Sequence, residues 1–274
     1  MRLKDRVALM NTTVFLGGGR ITGALAAGLR LAGYAGEIVV YDRNAEKLRA
    51  LRRESRVAVA RDLKSAMTRA GMLIVAVRPA SVARILDEVM ACGVAAPKLC
   101  VSLAAGIPLR KLRGRLGPAL RWVRAMPSPV CRIGRGLTAL SFERNVTQRE
   151  RRQVREFFEH VGTVLEIPEP QFDAFTAAYS SSHGYHALAV LAKAGQRAGL
   201  DRKTALTAAA HALSDGIGYW RESGKEVAEL LHEAATPGGI AAATMTVMDQ
   251  SGYARVVEKG LRAGIRQARE NARR

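Results

Sequence analysis

Aromatic side chains are scarce in this sequence, at 5% of 274 residues, and cysteines number only three. The first scarcity argues against a single-strand nucleic-acid binder, which stacks bases on aromatic rings. The second argues against a disulfide scaffold, since Cys92, Cys100 and Cys131 have neither metal-ligand spacing nor the closeness of a redox pair. They are expected to be reduced thiols, two of them in apolar surroundings. No metal site is expected, because the histidines occur singly or as His183 and His186, with no third ligand partnered to them. Long apolar runs are missing too. None reaches the roughly 18 residues that span a bilayer, and the opening stretch, MRLKDRVALMNTTV, lacks the apolar region and small-residue cleavage site of a secretory signal. A cytoplasmic protein without membrane attachment is expected. Met1–Leu9, ahead of Met10, reads as an extension or a start-codon choice and carries no assigned function.

Acidic residues are in deficit, with 24 against 43 Lys and Arg, which leaves a formal charge of +19 and an isoelectric point near 10.8. A basic surface attracts phosphates over long range. Here the arginines are spread over nearly every predicted helix, and the dense runs are short: Arg149, Arg151 and Arg152, and the tail from Arg266 to Arg274. The pattern reads as a solvated basic surface with no nucleic-acid partner. The same charge favours an anionic cofactor or substrate. A hydrophobic fraction of 48% fits a globular chain holding one large or two modest domains.

From residue 12 to about 140, apolar strand-like runs alternate with amphipathic segments. TTVFL precedes a helix from Arg20 to Leu31, EIVVY one from Ala45 to Arg53, RVAVA one from Asp62 to Ala70, and MLIVAV one from Ala80 to Met90, before KLCVSLA. Such alternation builds βα units into a doubly wound parallel sheet with helices on both faces. Asp62 and Ser81 are placed as helix caps, and Gly33 and Gly36 as breakers. A strand pair at Arg121–Ala125 and Leu137–Phe142, a helix from Thr147 to His160 and a last strand, TVLEI, follow. Beyond Pro168 strand signals vanish and alanine-rich helical periodicity continues, with breaks near Gly199, Ser223 and Pro237. The expected division is a dinucleotide-binding α/β domain over 1–167 and an all-helical domain over 168–274. The many small residues of the second permit close helix packing and suit a subunit interface.

Val14–Gly23, VFLGGGRITG, is a strand, a tight glycine turn and a helix start. A glycine loop clears side chains from a helix N-terminus, where free backbone N–H groups receive a pyrophosphate. Gly17 makes the turn and Gly19 lets the backbone approach the ligand. Thr22 takes the third position, where glycine or alanine is usual; it either bonds a phosphate or packs against the sheet, with packing favoured. About twenty residues further on, where a ribose-binding residue is expected, Asp42 and Arg43 stand side by side. An Asp accepts from a ribose 2′-hydroxyl, whereas an Arg pairs with the 2′-phosphate of NADP. Asp42 can instead start the turn, so NADP is preferred and NAD is left open. Arg78 and Pro79 follow the fourth strand, at the carboxyl edge where open α/β sheets bind ligands.

In order and spacing these segments resemble the pyrroline-5-carboxylate reductase family, enzymes that reduce a cyclic imine to proline. The likeness rests on the glycine loop, Arg43, the strand ending VAVRP, VSLAAGI, RAMPSPVCRIGRG, FTAAYSSSHGYH and ATPGGIAAATMTVMDQSGY. It implies a Rossmann domain, a helical dimerisation domain with the substrate near the subunit junction, and hydride transfer from a reduced nicotinamide to a C=N carbon. A homodimer, or a higher oligomer of dimers, is implied as well. Carried over by position, the cofactor site comprises Gly17, Gly18, Gly19, Arg20, Ile21, Thr22, Asp42, Arg43, Val77, Arg78, Pro79, Ala105 and Ser128. Substrate contacts fall on Ser181, Ser182, Gly238 and Gly239. Ser181 is a candidate catalytic group, as are His183 and Tyr185, polar groups that the usual family loop lacks; these two either donate a proton to the developing amine or pack at the domain junction or cap a helix.

Departures from the family pattern gather in the substrate half. Ser128, followed by Pro129, replaces the family's Asn after Met-Pro; Tyr179–Gly184 replaces a Ser-Gly-Ser-Gly-Pro-Ala loop, with Ser181 matching; and Ile240 and Ala241 stand where the family has two threonines that bind the substrate carboxylate. The expectation is an NAD(P)H-dependent cyclic-imine reductase with an altered substrate pocket. Two alternatives stay open: a hydroxy-acid dehydrogenase, for which Lys193 lacks the expected following Asn, and a non-catalytic nucleotide-binding relative.

Overall fold

The computed structural model describes residues 12–94 and 97–273; Met1–Leu9, read above as an extension, lies outside the described residues, as does Arg274 of the basic tail. The strands are Thr12–Leu16 (β1), Glu37–Tyr41 (β2), Ala58–Val59 (β3), Met72–Val75 (β4), Leu99–Ser102 (β5), Arg121–Met126 (β6), Gly136–Phe142 (β7) and Gly162–Glu166 (β8). They form one sheet in the order β3-β2-β1-β4-β5-β6-β7-β8, parallel throughout except for the antiparallel pair β6–β7. The winding reverses between β1 and β4, and the crevice above that reversal is where doubly wound sheets bind ligands.

The connecting helices are Arg20–Leu31 (α1), Ala45–Ser55 (α2), Leu63–Arg69 (α3), Pro79–Ala91 (α4), Leu109–Leu116 (α5) and Gln148–Glu159 (α6). Neighbouring strand residues point to opposite faces, so the strands need apolar side chains on both. Phe15 of β1 packs with Leu25 and Leu29 of α1, Leu48 and Leu51 of α2, and Phe157 and Phe158 of α6. Val14 and Leu16 join the other core with Met67, Leu86, Leu112 and Trp122. Asn44 caps α2, while Asp62 with Ser65, and Thr147 with Glu150, form capping boxes on α3 and α6. Ser81 is not a cap: Pro79 supplies the first residue of α4 and Arg78 the cap position, which leaves Ser81 inside the first turn. The helix α5 gave no clear sequence signal, because Gly114 and four basic residues interrupt the spacing of the buried Leu109, Leu112 and Leu116.

Strands end close to Pro168, yet the first compact unit continues to Ala178 and also includes the described residues from Gly264 onward. The cause of the first extension is Arg124 on β6, whose side chain is 2% exposed. It binds Glu169 at 3.1 Å and Asp173 at 2.9 Å and lies 4.1 Å over the ring of Phe172. Phe172–Ala178 forms a short helix (α7), and Glu169 also accepts the Leu109 N–H at 3.0 Å. A guanidinium taken out of water needs such partners, and they hold the segment 169–173 on the sheet. The final helix, Tyr253–Arg273 (α12), brings Ala268 against the turn at Gly106.

The second unit, Tyr179–Ala263, is helical: Ser181–Arg197 (α8), Arg202–Ser223 (α9), Val227–Ala234 (α10), Ile240–Gln250 (α11) and the first half of α12. Asp201 caps α9, and Ala192, Ala205 and Ala209 are buried where α8 and α9 meet. Small side chains give the close approach anticipated above. The break at Ser251–Gly252 carried no strong sequence signal. No helix among the described residues is long and apolar enough to cross a membrane. Replacing Arg124 by Ala should lower unfolding free energy by about 3 kcal/mol, because it strands two carboxylates; urea denaturation measures it.

Candidate active site

The glycine loop joins the end of β1 to the start of α1, and hydrogen bonds from three directions fix it. Gly17 donates to the Tyr41 carbonyl at 2.8 Å, and the Thr22 hydroxyl donates to the Gly17 carbonyl at 2.6 Å. Gly18 donates to Asp42 Oδ2 at 2.7 Å, while Oδ1 of the same carboxylate accepts the Asn44 N–H at 2.8 Å. Only glycine suits position 17, where φ is +112° and a Cβ would lie 2.6 Å from the Ala76 carbonyl oxygen. At Gly19, the cap position of α1, a Cβ would meet nothing within 4 Å, so the loop opens onto free space at the helix N-terminus. The first-turn N–H groups there have no partner within the helix and are available to an anion.

A cleft of about 810 Å³ opens at this point. Of the expected cofactor residues it takes in Gly17, Gly18, Gly19, Arg20, Ile21, Asp42, Arg43, Val77 and Arg78. Pro79, Ala105 and Ser128 do not line it: Pro79 starts α4, and Ala105 and the buried Ser128 follow the carboxyl ends of β5 and β6. Nor does Thr22, which is fully buried. Its hydroxyl closes the loop from below, and the phosphate contact considered for it is not made by a side chain turned inward.

Three basic groups in the cleft, and the carboxylates of Glu54 and Glu88, escaped the sequence reading. Lys47, in the first turn of α2, was legible as the third residue after the Asn44 cap. Arg84 is one turn further along α4 and pairs with Glu88 at 3.7 Å. Arg132 comes from the 3-10 turn Pro129–Ile133, distant in sequence from the loop. Among the described residues, none of Arg20, Arg43, Lys47, Arg78 and Arg132 forms an ion pair. Asp42, the carboxylate nearest the loop, is already held by two backbone N–H groups. The cleft therefore suits a polyanion, and the open helix terminus, the glycine cradle and the uncompensated cations together fit a dinucleotide.

In the helical unit, Ser180 caps α8; its hydroxyl lies 2.7 Å from that of Ser182 and accepts the Ser182 N–H at 3.4 Å. Ser181, Ser182, His183 and Tyr185 thus share the first turn and a half of one helix, with Tyr185 65% exposed. Gly238 and Gly239 form the turn into α11: Gly238 has φ +75°, and the Gly239 N–H is bonded to the Thr236 carbonyl. The available donors in this turn are the first-turn N–H groups of α11 rather than that of Gly239. Ile240, where the resemblance placed a threonine, is 89% exposed.

Among the described residues no cluster of His, Cys, Asp and Glu has the makings of a metal site. Burial pushes the Cys131 thiol up to about 12, and Cys100 is raised further by the same cause. Both stay protonated at neutral pH and supply no thiolate nucleophile.

Replacing Thr22 by Val keeps the packing and removes the bond to Gly17, which should cost about 1 kcal/mol of stability by urea denaturation. Replacing Asp42 by Ala leaves the Gly18 N–H without its acceptor. It should weaken reduced NAD and NADP alike by about tenfold in a nicotinamide fluorescence titration.

Comparison with known proteins agrees with this geometry. A family model described as NADP oxidoreductase coenzyme F420-dependent matches residues 12–106, and one described as pyrroline-5-carboxylate reductase dimerisation matches residues 169–271. The pyrroline-5-carboxylate reductase of Mycobacterium leprae is 32% identical over 278 residues, covering 93% of this chain and 94% of its own. That of Corynebacterium melassecola is 31% identical, covering 89% and 92%. A crystal structure of the Plasmodium falciparum pyrroline carboxylate reductase with NADP bound shares the fold, with a TM-score of 0.85 at 20% identity over 95% of this chain and 98% of that one. With identity at this level along nearly its whole length, the chain belongs to the pyrroline-5-carboxylate reductase family of NAD(P)-dependent oxidoreductases.

Proposed function

We propose that this protein reduces the C=N bond of a five-membered cyclic imine, pyrroline-5-carboxylate or a close relative, with NADPH in preference to NADH. With pyrroline-5-carboxylate as substrate the product is proline, which makes the protein a proline-biosynthetic enzyme. The identity to enzymes named for that reaction, over 93% of the chain, carries the reading. The cofactor preference is supported by the cleft: Asp42 bonds to its own loop, while Arg43 and Lys47 lack ionic partners among the described residues.

A bound reduced nicotinamide would supply the hydride to the imine carbon; the imine nitrogen, protonated before the transfer, ends as a secondary amine that takes a further proton from solvent. The chain's own task is to hold, orient and desolvate. Gly17–Gly19 and the first turn of α1 would receive the pyrophosphate, and Arg43 would pair with the 2′-phosphate. In this reading Ser181 and Ser182 bind the imine, and His183 or Tyr185 furnishes the proton when the imine arrives neutral. First-turn N–H groups after Gly238–Gly239 take the substrate carboxylate in place of the threonines that Ile240 and Ala241 replace. This altered pocket also accommodates a related imine without loss of the cofactor site.

The helical unit is proposed to pair with a second copy of the chain. Its dimerisation-domain match is one support. The other is the number of large apolar side chains it leaves exposed, among them Leu206, Ile217, Tyr219, Trp220, Val247 and Val256. Ile217 and Trp220 of α9 flank a groove of about 270 Å³ completed by Val227, Leu230 and Leu231.

Pyrroline-5-carboxylate with NADPH and NADH in parallel, followed by loss of nicotinamide absorbance, tests the activity. Turnover is expected with NADPH as the better donor; cofactor binding without turnover on any cyclic imine would instead favour the non-catalytic relative. Arg43→Ala should weaken NADPH by about tenfold or more and leave NADH nearly unchanged. Ser181→Ala should lower turnover while leaving cofactor affinity intact. Sedimentation should report a dimer or a multiple of it, and Trp220→Glu should shift it towards monomer.

A further inference from the structure

The 3-10 turn that carries Arg132 lies between β6 and β7, well outside the β1–α1–β2–α2 segment that forms the glycine loop. Its backbone is nevertheless fixed against α1. Gly28 presents no side chain, and a Cβ there would run into the Cys131 carbonyl; the Cys131 side chain is fully buried. The turn is closed by Cys131 donating to the Ser128 carbonyl and Gly134 donating to the Cys131 carbonyl, both at 3.1 Å. From this anchor the Arg132 side chain runs back along α1 towards the glycine loop. One of its terminal nitrogens lies 3.7 Å from the point that a Cβ on Gly23 would occupy.

That point belongs to the wall leading to Asp42. One methyl of Leu51 is 3.2 Å from the Cβ position of Gly23, and its other methyl is 3.1 Å from that of Gly18. The same position on Gly18 is 3.4 Å from the Asp42 Cβ. Arg132, Leu51, Gly18 and Asp42 therefore follow one another along the side of the cleft that faces α2, where Lys47 also lies. The pyrophosphate is drawn instead to the N-terminus of α1 at Gly19. Glu54 lines this side of the cleft too, and Arg132 forms no ion pair with it or with any other carboxylate among the described residues. An exposed, uncompensated guanidinium on a fixed base thus lines the same cleft as Arg43, which follows β2, and Lys47 of α2.

We propose that Arg132 is a specificity-determining residue for the cofactor, a third cation that reaches over the first turn of α1 to the 2′-phosphate of NADPH. A phosphate monoester carries about −1.5 to −2 at neutral pH and offers three acceptor oxygens, so one guanidinium does not saturate it. A planar guanidinium also bonds such a group through two N–H donors at once, which lysine does not do. The inference rests on the NADPH preference proposed above.

Equilibrium titration of nicotinamide fluorescence with NADPH and NADH tests it on the full-length chain, with 2′,5′-ADP and 5′-ADP as competitors. Arg132→Ala should raise Kd for NADPH and for 2′,5′-ADP by about tenfold and change NADH and 5′-ADP by less than about twofold. Arg132→Lys should recover part of the loss. An unchanged urea midpoint for both variants would tie the loss to the cleft rather than to the fold. If Arg132→Ala weakened NADH as much as NADPH, the residue would act on the shared part of the dinucleotide and the inference would fall. It would fall equally if Arg132→Ala changed neither while Arg43→Ala still separated the two cofactors. If neither variant altered the NADPH-to-NADH ratio, the cofactor preference itself would fail.

Discussion

The cofactor half of this protein depends on the bond between the Gly18 N–H and the Asp42 carboxylate. It ties the turn after β1 to the end of β2, and the Thr22 hydroxyl and the Tyr41 carbonyl hold the glycine loop from two further sides. A loop held in this way meets a pyrophosphate without first having to be ordered, so little conformational entropy is lost on binding. The same bond changes the meaning of Asp42. A carboxylate after the second strand ordinarily serves a ribose hydroxyl; here each of its oxygens also accepts one backbone N–H. The unpaired cations Arg20, Arg43, Lys47, Arg78 and Arg132 nevertheless outnumber the carboxylates of Asp42 and Glu54 that line the cleft outside the Arg84–Glu88 pair.

Charge on this protein acts in two ways. Most arginines are solvated or sit in exposed pairs such as Arg262 with Glu258, which contribute little to stability. Arg124 is the opposite case: nearly fully buried, bonded to two carboxylates and stacked on Phe172, it extends the first compact unit past the last strand. A net charge of +19 says nothing of this difference, because burial decides whether a given guanidinium is a structural bolt, a ligand contact or a solvated group.

The helical unit follows another logic. Alanine at the contact of α8 and α9 brings backbones close, while larger apolar side chains stay exposed. For an isolated chain such a surface is unfavourable; it is coherent when a partner of the same kind removes it from water.

Much of the architecture was legible in the chain. The boundaries of β1, α1 and β2 followed from apolar runs and glycines, because a strand buried on both faces must be uniformly apolar and a parallel neighbour needs a helical crossover. Gly17 was readable as the turn residue for the same local reason, since only glycine tolerates its dihedral angles. Other features were not. Leu109–Leu116 hid its helix behind arginines, and Ser81 has the residue type of a cap although Pro79 already starts the helix ahead of it. The sequence alone determined the order of strands and helices, the glycine loop and the adjacency of Asp42 and Arg43, all of which depend on neighbours in the chain. Only the tertiary structure decided that Asp42 turns inward to the loop, that Arg124 is buried, and that Lys47 and Arg132, far apart in the chain, converge on one cleft, because those outcomes depend on which distant backbones come close enough to bond.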